Sequence, residues 1–100
     1  MKRTLIRYKT KPEAADANAK LVEAVFAELK AKTPDGVRYL SLRLDDGVFV
    51  HFVEQGEGPS QLQKLDAFQA FQSGIRERCI DPPQVSGVTI LGNYQMLGES

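Results

Sequence analysis

Three residues of this 100-residue chain could do chemistry together: Tyr39, Arg43 and the only histidine, His51. An unperturbed imidazole titrates near neutrality, so His51 could serve as a general base. Arg43 could hold a carboxylate or phenolate, and Tyr39 could donate a hydrogen bond to a ligand. Each has a plainer reading beside it. A histidine with no identifiable nucleophile or carboxylate partner also fits a hydrogen-bonded place in an interface. Arg43 has Asp45, Asp46 and Glu54 near it in sequence as ion-pair partners, and tyrosine is an ordinary interface residue. A single histidine without Cys, Asp or Glu at ligand spacing makes no zinc or iron motif, so no metal is expected.

Other reactive side chains read as structural. Cys79 follows a helix, whose negative end raises a thiol pKa, and is expected to pack as a small residue. Asn18 is expected at the edge of a helical apolar stripe, facing solvent or a backbone carbonyl. Gly56 and Gly58 flank Glu57 without a phosphate-loop lysine and read as a flexible loop.

The elements that must position these residues follow from spacing. Residues 4–10 read as a strand. Pro12 suits a first helical turn, with Glu13 and Asp16 near the positive end of the helix dipole. Leu21, Val22, Val25, Phe26 and Leu29 form one apolar helix face, and Pro34-Asp35-Gly36 ends the helix. Residues 37–44 and 48–54 are hairpin strands. Ser60 and Gln63 match a capping box, so a second helix is expected over 62–78. Asp81-Pro82-Pro83 reads as a turn and residues 85–94 as the last strand. The order β-α-β-β-α-β is the ferredoxin-like α+β arrangement: a four-stranded antiparallel sheet with both helices on one face.

Asp45-Asp46-Gly47 suits a three-residue hairpin loop with Gly47 left-handed. Leu42 then opposes Val50, and Leu40 opposes Phe52. That apolar face is expected under the helices. Tyr39, Ser41, Arg43, Phe49, His51 and Val53 are then expected on the open face. Phe49 and Val53 would be uncovered in a monomer, while the polar groups need partners. Two such sheets facing each other across a cavity meet both demands, and an apolar cavity with a few polar groups suits a small ligand. Arg43 would hold the His51 pKa down by like-charge repulsion.

Composition bounds the rest. An apolar share of 42% with 26% charge fits one globular domain spanning residues 1–100. Thirteen basic and thirteen acidic residues cancel, leaving no electrostatic footprint for nucleic acid and little charge to oppose self-association. No segment has signal-peptide or membrane-spanning character. The single cysteine suits a cytoplasmic location.

The chain resembles the dimeric α/β-barrel superfamily, particularly small domains related to antibiotic-biosynthesis monooxygenases. The likeness rests on Leu5-Ile-Arg-Tyr-Lys-Thr-Lys-Pro12, on Gly36-Val-Arg-Tyr-Leu-Ser-Leu-Arg43, on Val48-Phe-Val-His-Phe-Val-Glu54 and on Leu65-Asp-Ala-Phe-Gln-Ala-Phe71. It implies a homodimer whose two sheets close a barrel. For some members it implies oxygenation of aromatic or quinol-like compounds without metal or flavin, and for others haem degradation. The chain has no tryptophan and its histidine is on a strand, which departs from the Asn-Trp-His set of the haem-degrading branch, so no cofactor is expected. The expectation is a dimer binding a small apolar or aromatic ligand, with His51 catalytic and Tyr39, Arg43, Phe49 and Val53 lining the site. A cofactor-independent monooxygenase is set against a non-catalytic ligand-binding, stress-related or assembly dimer.

Overall fold

A computed structural model describes residues 2–97. Strand β1 (Lys2–Thr10) leads through a 3-10 turn (Pro12–Ala14) into α1 (Ala15–Lys32). Strands β2 (Val37–Arg43) and β3 (Val48–Gln55) form the hairpin. A second 3-10 turn (Leu62–Lys64) precedes the short helices α2 (Asp66–Gln72) and α3 (Ile75–Arg78), and β4 (Cys79–Gly87) closes the order. The antiparallel sheet runs β2-β3-β1-β4, and the helices cover one face. The ferredoxin-like expectation holds.

The hairpin register follows from its turn. Leu40 pairs with Phe52, Leu42 with Val50 and Arg43 with Phe49. Leu44 N–H bonds the Val48 carbonyl at 2.8 Å, and Gly47 has φ 84°. That is the bulge conformation a Cβ disfavours.

The face assignment is the reverse of the expected one. Phe49, His51 and Val53 lie beneath the helices, buried with Tyr8, Val22, Val25, Leu65, Phe68 and Phe71. Leu42 is 50% exposed and Leu44 42%, and Leu40, Val50 and Phe52 are only partly covered. Val48 shares their parity yet is buried beside the turn. The cause lies outside the hairpin. On β1, Tyr8 opposes Phe49 and Ile6 opposes His51, so the inner face gathers aromatic bulk, and His51 finds hydrogen-bond partners there. A buried polar group that is fully partnered costs little.

The second helix is broken into pieces. Ser60 bonds Gln55 instead of capping; the first amides of α2 are taken by the Glu28 carboxylate of α1, with Ala67 N–H donating at 2.8 Å. Helix α2 ends at Gln72, Gly74 with φ 77° leads into α3, and Arg78 donates to the freed carbonyls of Phe71 (2.6 Å) and Ser73 (3.1 Å). This side chain satisfies a helix C-terminus that the chain itself leaves open.

The last strand begins at Cys79, well before the expected residue 85, and includes Pro82 and Pro83. Strand β4 lies at a sheet edge, where its pairing with β1 shifts register between Arg7 and Lys9 and again before Thr10. Edge bulges are where strand prolines are tolerated. Beyond Gly87, one further bond joins Val88 N–H to the Arg3 carbonyl at 3.3 Å. Residues 88–97 then carry exposed apolar side chains, among them Leu91 and Tyr94.

Candidate functional site

His51 is 2% exposed and sits at the centre of a polar cluster that four elements build. Strand β1 supplies Tyr8, whose Oη lies 2.8 Å from His51 Nε2. Edge strand β2 supplies Ser41 and Tyr39, with Oγ and Oη 2.6 and 3.0 Å from His51 Nδ1. Alternation forces this, because Tyr39 and Ser41 share the inward parity and Ser41 lies directly opposite His51. From α1, Asn18 Nδ2–H donates to Tyr8 Oη at 2.9 Å. From the end of α3, Arg78 Nε–H donates to Asn18 Oδ1 at 3.0 Å. Asn18 is fully buried, not at the solvent edge of its stripe, because both ends of its amide are claimed.

Aromatic rings enclose the cluster. Tyr8 stacks on Phe49 and on His51, with centroids 5.5 and 5.4 Å apart, and Phe71 lies across His51 at 5.5 Å. This low-dielectric packing disfavours charge. Burial pulls the His51 pKa down to about 4, pushes Tyr39 up to about 12 and raises Tyr8. The imidazole is therefore neutral at pH 7. Desolvation does this, not the expected repulsion from Arg43. Burial also raises the Cys79 thiol, in keeping with a packing role.

Two open depressions approach the cluster where α1 passes over edge strand β2. One, of about 250 Å³, has Phe26, Leu29, Lys30, Val37 and Tyr39 in its wall. The other, of about 280 Å³, is lined by Ala19, Val22, Ser41, Arg43 and Phe49. Arg43 lies over the Phe49 ring at 5.7 Å and pairs with Asp16 at 3.0 Å, not with Asp45, Asp46 or Glu54. Glu54 instead pairs with Arg3.

The structure thus brings together Tyr39, Arg43, Phe49 and His51 on the helix side of the sheet, whereas Val53 belongs to the core and lines neither depression. His51 faces the helices and so does not point into the open-face cavity expected for it; the depression of about 540 Å³ on that face is lined by Leu40, Phe52, Arg38 and Glu54 instead. Tyr8 and Arg78 carry no local signal of their role, and Asn18 shows only as an amide beside an apolar stripe. Ser41 alone could have been found, by its parity with Tyr39 and its place opposite His51. Among the described residues, no group of three or more His, Cys, Asp or Glu side chains comes together as a metal site.

Several solved structures share this architecture. A Mycobacterium tuberculosis protein superposes with a TM-score of 0.68 at 20% identity, covering 91% of this chain and 95% of its own. A provisionally named antibiotic biosynthesis monooxygenase from Caulobacter crescentus gives 0.68 at 18% identity, covering 90% and 89%. Another so named, from Nitrosomonas europaea, gives 0.67 at 12%, covering 89% and 88%. The chain has the fold of antibiotic-biosynthesis-monooxygenase-like domains; at these identities the likeness is one of fold. No protein-family model matches the sequence, and no curated protein does so. Among the described residues, no helix is long and apolar enough to cross a membrane.

Proposed function

We propose that this protein is a homodimer that binds a small, electron-rich aromatic compound at the α1–β2 edge and oxygenates it with dioxygen. The observation that carries the reading is the pair of hydroxyls on Tyr39 and Ser41. Both hydroxyls contact the buried His51 Nδ1, and Tyr39 and Ser41 are residues that each line an open depression. Apolar walls with a few convergent polar groups suit a small aromatic ligand. Arg43 suits its anion, since its exposed ion pair with Asp16 is weak enough to be exchanged. The fold shared with proteins named as monooxygenases agrees with this chemistry.

In the reaction an activated methylene or phenol loses a proton to solvent at the open depression. The resulting anion reduces dioxygen. For a methylene the balance is one methylene and one dioxygen giving one carbonyl and one water: both C–H bonds break, one oxygen atom stays on carbon, and the other leaves as water with the two hydrogens. With its pKa near 4, His51 stays neutral at pH 7 and takes up no substrate proton; it orients the Tyr39 and Ser41 hydroxyls. Dimerisation uses the sheet face that carries Leu40, Leu42, Val50 and Phe52, which no helix covers. The unpaired Cys79 fits a reducing compartment such as the cytoplasm.

Oxygen uptake with hydroquinone and anthrone tests the reaction. Wild type should consume oxygen, and Ser41→Ala, Arg43→Ala and His51→Gln should lose most of that activity. A second reading, a non-catalytic binding dimer, is favoured by one observation: among the described residues every buried side-chain N and O atom already has a partner. Binding of these compounds by calorimetry without oxygen uptake would decide for it.

A further inference from the structure

Proton counting around His51 is more restrictive than distances alone. Arg78 Nε–H can only donate, so the Asn18 atom that meets it is the carbonyl oxygen. The Asn18 amide group then points at Tyr8 and donates to Oη. Tyr8 is 1% exposed, and its hydroxyl meets Asn18 Nδ2 and His51 Nε2. Its single hydroxyl proton therefore goes to His51 Nε2, because the alternative leaves a buried O–H with no acceptor. With Nε2 accepting, a neutral imidazole must carry its proton on Nδ1.

That proton meets Ser41 Oγ at 2.6 Å and Tyr39 Oη at 3.0 Å. Three protons (on Nδ1, Ser41 and Tyr39) now face two oxygens. The Ser41 and Tyr39 hydroxyls can bond each other in one direction or the other, and either choice leaves one O–H without an acceptor in the cluster. Tyr39 and Ser41 each line a depression, whereas Tyr8 lines neither, so the spare donor falls on a residue at the accessible end. In the opposite tautomer the spare proton would fall on Tyr8, where no ligand reaches.

We propose that the chain Arg78→Asn18→Tyr8→His51→Ser41 fixes the His51 proton on Nδ1, and that the surplus hydroxyl donor at the α1–β2 edge selects ligands presenting an acceptor oxygen, a phenolate or enolate in preference to the neutral phenol. The ligand half rests on the small-aromatic reading above; the proton half does not. Tyr8, Asn18 and Arg78 are positioning residues. The chain starts at a permanent cation and every bond donates toward the rim, which strengthens the terminal donor. Arg43 lines the same depression as Ser41 and adds a positive charge beside it.

Because the chain holds a single histidine, long-range 15N–1H correlation on histidine-labelled protein reads the tautomer without ambiguity. In mildly alkaline buffer wild type should show Nδ1 protonated and Nε2 bare. Asn18→Asp is isosteric and keeps the Arg78 pairing, but it accepts from Tyr8 instead of donating. The chain then reverses: Tyr8 O–H turns to the carboxylate, His51 Nε2–H donates to Tyr8 and Nδ1 becomes bare. The signals should exchange.

The ligand half is read with 4-nitrophenol, whose visible band reports ionisation. Wild type should bind the anion about tenfold more tightly than the neutral form, from one charge-assisted hydrogen bond, and Asn18→Asp should lose that preference. A wild-type spectrum with the proton on Nε2, or no exchange in a folded Asn18→Asp, overturns the relay. The expected tautomer with no binding of either probe form leaves the proton assignment standing and removes both the ligand half and the aromatic-ligand reading. Preferential binding of neutral nitrophenol with the expected tautomer overturns the selection alone.

Discussion

On the helix side of the sheet the polar side chains are buried among aromatic rings and hydrogen-bonded; on the opposite side the aliphatic stripe of the hairpin, Leu40, Leu42 and Val50, is partly or largely exposed and is flanked by Arg3, Arg7 and Arg38. The inner face holds His51, Tyr8 and Thr10, yet each is at most 2% exposed. The outer face offers Leu42 and Leu44 to solvent. Chemical purity therefore does not choose which face a chain buries. Volume and completed hydrogen bonds do: Tyr8, Phe49 and Phe71 provide the first, while Asn18 and Arg78 complete the second. The outer face is the one on which the proposed dimer would form.

The largest effect should come from charging the inner face. Phe49→Asp removes a ring packed on Tyr8 and buries a carboxylate whose neighbouring cation, Arg43, is already paired with Asp16. It should cost at least about 3–5 kcal/mol and abolish cooperative thermal unfolding. A folded Phe49→Asp with intact near-ultraviolet dichroism would mean that the assignment of faces is wrong.

Next is acid sensitivity. The unfolded imidazole titrates near 6.5 and the buried one near 4, so the unfolded chain takes up a proton that the folded chain refuses. Stability is full above about pH 6.5 and falls as pH drops toward about 4, by about 3 kcal/mol from this residue. Urea unfolding at stepped pH should show the slope, and His51→Gln should flatten it. An equal slope in both proteins would place the titration elsewhere.

A smaller effect separates the faces cleanly. Leu42→Asp should leave the unfolding of the protomer nearly unchanged and weaken the proposed dimer, each lost side chain removing on the order of 1.5–3 kcal/mol of burial. Light scattering after size exclusion would read dimer mass for wild type and monomer mass for the variant. Wild type that is monomeric at micromolar concentration would remove the outer-face interface. Last, Gly47→Ala should cost roughly 1 kcal/mol in thermal unfolding. A Cβ there meets Thr10 O at an ordinary 3.6 Å, so backbone conformation alone sets the cost. A neutral substitution would argue against strain at the bulge.

What can be read from the sequence is what neighbours along the chain decide. Asp45-Asp46-Gly47 determines the turn, the turn determines the register, and register puts Tyr39, Ser41 and His51 on one face. Which face meets the helices depends on groups far away in sequence: Tyr8 is 43 residues from His51 and Arg78 is 60 from Asn18. The same holds for the second helix. Ser60 and Gln63 point to its start, but the donors at its head are satisfied by Glu28 from another element. Pro82 and Pro83 read as a turn because a strand interior excludes proline, and only the sheet order shows that β4 is an edge.

Those two prolines have a consequence for the whole molecule. Pro82 and Pro83 fall in the register shift opposite Tyr8, so β4 carries two residues without an N–H at a bulge that bends the edge strand. The outer margin of β4 is thus a poor template for a further strand, and sheet-to-sheet growth into fibrils is impeded at that end. Replacing both by valine should hasten thioflavin-positive aggregation of warmed protein, and an unchanged lag time would refute this. With that margin blunted, open-ended growth from edge to edge is disfavoured, which suits the proposed face-to-face dimer, an assembly that closes after two copies.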